Sequence, residues 1–175
     1  MISPAHVQMM ARYNRWQNEN LYGVADKMSE GQRREERGAH FGSVHKTLTH
    51  LVWADQNWMS RFTGKPAPWF DYGGQEWPRA PRDSVKLELS WDELKRQRTA
   101  LDETIVAWAE TVDPQWLAQV FSWTHSSGRQ ISQPFWVLVT HMFNHQTHHR
   151  GQVHCLLTGL GGVPDDTDIP WLPAA

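Results

Sequence analysis

The stretch PFWVLVTHMFNHQTHHRGQVHCLLTG, residues 134–159, decides the reading of this chain. Within it Phe135, Leu138, Met142, His145, His149, Gln152 and Leu156 recur at alternating intervals of three and four, the spacing of one helix face. The pattern predicts a helix from Pro134 to about Thr158, with Gly159 as its C-cap. The seam is apolar, then polar at three consecutive positions, then apolar again. Packed helix faces stay apolar, because an unpartnered buried polar group costs on the order of 1–3 kcal/mol. Three such groups side by side need a common partner, and a metal ion supplies one. His145 and His149 stand one turn apart and can direct two imidazoles at one ion. Ten His in the chain make an isolated HxxxH pair unremarkable; its place in the seam gives it weight. His141/His145 is a competing pair. His145/His149 is preferred because Met142, not His141, occupies the seam.

Two ligands hold a metal poorly, so a third should come from a facing helix. The segment from Val44 to Phe62, capped by Ser43, carries the apolar seam Val44, Leu48, Leu51, Trp58 and Phe62. His50 lies beside that seam, with Thr47 and Ala54 as small neighbours. Asp55 falls in the seam, where an apolar residue is expected. Three roles fit it: a fourth ligand, an acceptor that orients an imidazole, or a buried carboxylate bonded to a neighbouring helix.

Two more helices complete the count. One runs from about Pro4 to Met28 behind a Ser3 cap, with Asn14 and Asn18 in its apolar stripe. Another starts at the capping box Ser90-Trp91-Asp92-Glu93 and stops at Asp113-Pro114. The charge run Arg33 to Arg37 reads as a solvated connection. The long Thr63 to Val85 segment is rich in Pro, Gly and aromatics, a functional loop or a crossover. Residues Gln119 to Gln133 read as a short hairpin, and Gly161 to Ala175 as an irregular strap. Four amphipathic helices indicate an all-α protein, a four-helix bundle in one domain over residues 1–175. The long second connection allows helices two and three to run parallel, in an up-down-down-up order.

Composition narrows the function. Lys plus Arg is 17 and Asp plus Glu 19, a net charge of −2, which gives no electrostatic case for nucleic acid or an anionic membrane. No apolar run reaches the roughly 18 residues of a membrane span, and the first residues lack the apolar core of a signal peptide. The expectation is a cytoplasmic protein. One cysteine, Cys155, excludes an internal disulfide and a Cys-rich zinc site; it reads as a small buried thiol. His148 and His154 read as surface or interface residues. His6, His40, His45 and His125 have no partner at ligand spacing and read as surface residues. Gln152 suits a partner to a ligand or a substrate contact, and Arg150 a salt bridge outside the seam. The 11 Trp imply aromatic anchors, and the loop from Trp69 to Trp77 could roof a site for an apolar substrate.

With these residues in place, the chain resembles the DinB/YfiT-like family of metalloenzymes. Asn144-His145-Gln146-Thr147-His148-His149-Arg150-Gly151-Gln152 is similar to that family's N-H-x-x-x-H-R-G-Q signature. The likeness extends to His50–Trp58, to Tyr13–Asn18, and to Leu157–Gly161 with Asp168. It implies an up-down-down-up bundle, often a homodimer, with a divalent metal on three imidazoles. By position these are His50, His145 and His149. It also implies a small-molecule substrate, with low-molecular-weight thiols used by relatives of known activity. Three imidazoles with an open position are the catalytic pattern for zinc, the favoured occupant, though nickel or iron suit imidazole too. Three functions fit: a metal-dependent thiol S-transferase or hydrolase, a non-catalytic metal-stabilised stress-response scaffold, and an interaction protein with exposed Trp.

Overall fold

Local capping chemistry sets where the helices begin. In the computed structural model, which describes residues 1–124 and 128–174, α1 spans Pro4–Asp26 and Ser3 accepts from the His6 N–H at 3.2 Å. A short α2, Glu30–Arg34, opens with a reciprocal box between Ser29 and Gln32. α3 spans Val44–Thr63; Ser43 accepts from Lys46 N–H at 3.2 Å, and Gly64 ends the helix in the left-handed conformation. α4 spans Trp91–Ala109 and α5 Pro114–Ala118. Strands β1 (Val120–Thr124) and β2 (Gln130–Pro134) form an antiparallel hairpin that delivers the chain into α6, Phe135–Gly159. Residues 125–127, which include His125, fall outside the described residues.

Two local expectations are corrected. Ser90 does cap α4, but the box is one-sided: the Glu93 carboxylate turns away to Arg96 and Gln97. Gly159 is the last residue of α6, and Gly161 (φ 83°) makes the turn, with Gly162 N–H donating to Leu157 O at 2.9 Å.

The fold is mostly helical, and α1, α3, α4 and α6 carry the core. Asp26 meets Lys95 and Asn18 meets Asp102, so α1 and α4 run antiparallel. Asp55 meets Arg98 and Phe62 stacks on Trp108, so α3 and α4 run parallel. His50 faces His149, Trp58 faces His141 and Phe62 faces Phe135, so α3 and α6 run antiparallel. The long segment between α3 and α4 makes the parallel pair possible, since a tight turn would force antiparallel neighbours. It includes a 3₁₀ turn, Pro81–Lys86. Leu48, Leu51, Met59, Leu94, Leu101, Ile105, Leu117, Met142 and Leu157 are fully buried. Some of the excess Trp is core: Trp108 and Trp116 stack with Phe62 and Phe135 at one end. Among the described residues no helix is long and apolar enough to cross a membrane.

The buried arc of α6 is wider than one seam, because this helix packs on both α1 and α3. Val139, Phe143, Gln146, Arg150, Val153 and Leu157 form a second buried stripe. Arg150 is therefore a core residue, not a salt bridge outside the seam. Cys155, expected to be buried, is exposed. His45, expected on the surface, is 3% exposed. Nor is the whole run from Arg33 to Arg37 solvated. Arg33 is buried and donates to the carbonyls of Ala25 and Met28, satisfying acceptors that the end of α1 leaves open.

Candidate metal centre

α3 contributes His50, and α6 contributes His145 and His149 one turn apart. One nitrogen from each of the three lies within 4.8 Å of the others. His50 and His149 are buried and His145 is half-buried. Nε2 of His50 stands 3.2 Å from Nε2 of His145. Two nitrogens on a tetrahedral zinc, at the usual bond length, are separated by about 3.3 Å. The observed spacing suits two ligands on one ion, and equally a direct hydrogen bond between the two rings.

The outward nitrogens fix the rings. His50 Nδ1 lies 2.9 Å from Ser84 Oγ, and that hydroxyl donates its own hydrogen to Pro81 O at 2.5 Å. The serine oxygen therefore accepts from Nδ1–H, which leaves the His50 Nε2 lone pair facing the cluster. His149 Nδ1 lies 2.9 Å from Gln152 Oε1, while the Gln152 amide donates to His148 at 3.1 Å. The same logic turns the His149 Nε2 lone pair inward. His145 Nδ1 is buried without a hydrogen-bond partner. The converging lone pairs of His50 and His149 fit a cation, since each of these rings has the outer acceptor that a metal-bound imidazole uses; His145 has none among the described residues.

Charge state agrees. Burial, reinforced by His145 and His149, pushes His50 down to about 3. Burial, reinforced by His149, His141 and His148, pushes His145 down to about 3. Burial also lowers His149. All three are neutral at pH 7, the form that ligates. Phe41 covers the cluster, its ring centroid 4.0 Å from His50 and 5.3 Å from His149, and Trp53 lies 5.7 Å from His50. Among the described residues the cluster has no carboxylate or thiolate member. His141 stays outside it, 5.8 Å from His145 ring to ring.

Asp55 does not join the imidazoles. It is fully buried and accepts from Arg98 Nη1 at 2.7 Å and from the Gln146 amide. Of its three possible roles, these contacts give the third, a carboxylate bonded to neighbouring helices. Arg98 also reaches Asp102 at 2.9 and 3.0 Å. Asn18 donates to Asp102 at 2.9 Å, and Arg150 donates to Asn14 and lies 3.5 Å from Gln146 Oε1. Two arginines and two aspartates, with three amides, thus form one charge-balanced network across α1, α3, α4 and α6. It adjoins the imidazoles through α6, where Gln146 follows His145 and Arg150 follows His149.

Gln152 lies against His149 Nδ1 at 2.9 Å. Ser84 was not foreseen. It belongs to the long segment before α4, and no spacing rule ties a loop serine to a helical His. The aromatic loop lies along α3: Trp53 Nε1 donates to Pro78 O at 2.9 Å, and Trp77 packs on Trp53 and Tyr72. Trp69 sits farther off, donating to Ser60 and Lys65 O.

Comparison with known proteins adds one match. The sequence model of the DinB family matches residues 1–175, the whole chain. No curated protein matches it.

Proposed function

The chain belongs to the DinB family, and from that premise we propose that it is a metal-dependent enzyme of the thiol S-transferase or hydrolase type. In this reading residues 1–175 form one up-down-down-up four-helix-bundle domain. His50, His145 and His149 hold one divalent ion, with zinc the first choice. The observation that carries the reading is the cluster itself: neutral imidazoles, two with lone pairs turned inward, and no fourth side chain among the described residues. A bound ion supplies Lewis acidity, which lowers the pKa of a water or thiol at the open position toward 7.

The protein's own residues do the rest. Ser84 and Gln152 hold two of the rings in place. Phe41 and Trp53 keep the cluster dry, which strengthens every charge interaction inside it. In the transferase version the thiol gives its proton to solvent, its sulfur forms the new S–C bond, and the leaving group departs with the old bonding pair. The family resemblance supports a low-molecular-weight thiol as substrate and a homodimer as the working form, and in this reading the protein works in the cytoplasm. The scaffold alternative needs a saturated ion with Asp55 or another side chain as fourth ligand; Asp55 is already engaged by Arg98 and Gln146, and among the described residues no other side chain joins the three imidazoles.

The test compares chelator-stripped with zinc-reloaded protein in thiol transfer to an aromatic electrophile and in ester hydrolysis. Activity that returns with the metal supports the reading. Identical behaviour of the two forms toward both substrates overturns it.

A further inference from the structure

A row of side chains leads outward from the cluster between α3 and α6. His141 lies one turn from His145, with ring centroids 5.8 Å apart. Trp58 meets His141 edge to face at 4.9 Å. The Arg61 guanidinium carbon lies over the Trp58 ring, 4.5 Å from its centroid. Trp58 and Arg61 are both half-buried. A turn of helix rises about 5.4 Å, and a helical side chain leans toward the N-terminus, so the guanidinium sits roughly 10 Å along this row from the imidazoles.

Arg61 lacks what a half-buried cation ordinarily has. Among the described residues its one hydrogen bond is a 3.5 Å contact to the Asn57 carbonyl, in its own helix. Among the described residues no carboxylate reaches it, although nine other Arg and Lys side chains, from Arg15 to Arg98, do find one. Burial lowers its pKa, and only the Trp58 ring face and the long Asn57 contact offset that cost. Removing a guanidinium from water without a partner is unfavourable, so this arrangement suits a site that gains its anion from outside. A guanidinium resting on an aromatic ring has its faces shielded on one side and its N–H edges free. Those edges match two coplanar oxygens.

We infer that Arg61, propped on Trp58, is a specificity-determining residue that binds a carboxylate of the substrate while the reacting group lies at the His50–His145–His149 cluster. This rests on the proposed metal-centre reading and adds a substrate class to it: small organic acids whose carboxylate lies roughly 10 Å from the reacting atom. Trp58 provides the flat apolar surface between the two ends. His141, one turn from the cluster, lines the same path.

The experiment uses zinc-loaded protein and two thiol probes of equal length, ω-mercaptooctanoate and the matching ω-mercaptooctanol, with affinities read by calorimetry. Zinc content of each sample is measured first. The wild type should bind the acid about tenfold more tightly than the alcohol, the effect of one charge-assisted contact. Arg61→Gln should keep its zinc and its affinity for the alcohol, and lose the preference for the acid. Arg61→Lys should retain only part of that preference. Wild type that holds zinc and binds both probes alike overturns the assignment while leaving the metal centre intact. A preference that survives in Arg61→Gln also overturns it. Wild type that binds no zinc overturns the metal-centre reading, and this proposal falls with it.

Discussion

Replacing Arg98 with Met should destabilise the protein strongly, and the loss should grow as pH rises. Arg98 is 3% exposed and lies between two buried carboxylates, with contacts of 2.7 Å to Asp55 and 2.9 and 3.0 Å to Asp102. Met fills similar volume, so the lost charge, not a cavity, dominates. The variant keeps Gln146 on Asp55 and Asn18 on Asp102, but neither amide carries charge. Removing one partner from a buried ion pair costs about 3–5 kcal/mol. At roughly 2–4 °C per kcal/mol for a chain of this size, the melting temperature should fall by on the order of 10 °C. Burial already raises both carboxylates, and Arg98 opposes that rise. Without it their folded-state pKa values climb further above the unfolded value near 3.9. A group raised in the folded state binds protons there that the unfolded chain does not bind. Its stabilising contribution is present at low pH and lost as pH rises toward the folded pKa, at about 1.4 kcal/mol per pH unit for each carboxylate. Denaturant unfolding followed by tryptophan fluorescence at about pH 5 and pH 8 reads this as a wild-type-to-variant difference. A variant within about 1 kcal/mol of wild type at both pH values, well below the buried-pair penalty, would refute the reasoning. So would a penalty that shrinks as pH rises. Adding Asp55→Asn to Arg98→Met should recover part of the loss, which a double-mutant cycle measures.

Other outcomes follow from the same structure. Ser84→Ala removes the acceptor on His50 Nδ1 and should weaken metal binding about tenfold, the low end for an outer partner of a ligand; competition against a chromophoric chelator measures it. His45 is buried neutral, pushed down to about 4 chiefly by burial. Because the unfolded chain protonates this group near 6.5, its contribution to stability should be lost as pH falls from 6.5 toward 4, by about 2 kcal/mol after allowance for partial solvation. His45→Gln should flatten that part of a stability-versus-pH curve, recorded by calorimetry. Gly162→Ala places a methyl 2.8 Å from Val24, 2.9 Å from Met28 and 3.0 Å from the Leu157 carbonyl. It should cost about 1–3 kcal/mol by overpacking, visible as a lower unfolding midpoint.

Much of this architecture was legible where the chemistry is local. Ser3, Ser43 and Ser90 announce helix starts because a cap needs only the next three residues. The three-and-four spacing of His145 and His149 survives into the structure because helical geometry alone places them together, and His50 meets them across the α3–α6 contact. What was missed depends on which helices touch. A single seam on α6 assumes one neighbour, and α6 has two, which buries Arg150 and Gln146 and leaves Cys155 outside. Arg33 and Arg98 carry charge, and charge alone reads as solvated. Their partners, the Ala25 and Met28 carbonyls and the two aspartates, become visible only once the chain has turned back on itself. Asp55 in the seam of the second helix, and Asn14 and Asn18 in the apolar stripe of the first, were the sequence signs of the buried network. Ser84 gave no sign, since its role depends on how a 3₁₀ turn lands beside α3.

The most direct measurement of the central claim is metal content by elemental analysis on untagged protein, wild type beside His145→Ala, with folding of both checked by circular dichroism. The account predicts about one equivalent of divalent metal per chain in the wild type, as one set of three imidazoles supports, and its loss in the variant. Folded wild type without metal, or a variant that keeps the full equivalent, would contradict it.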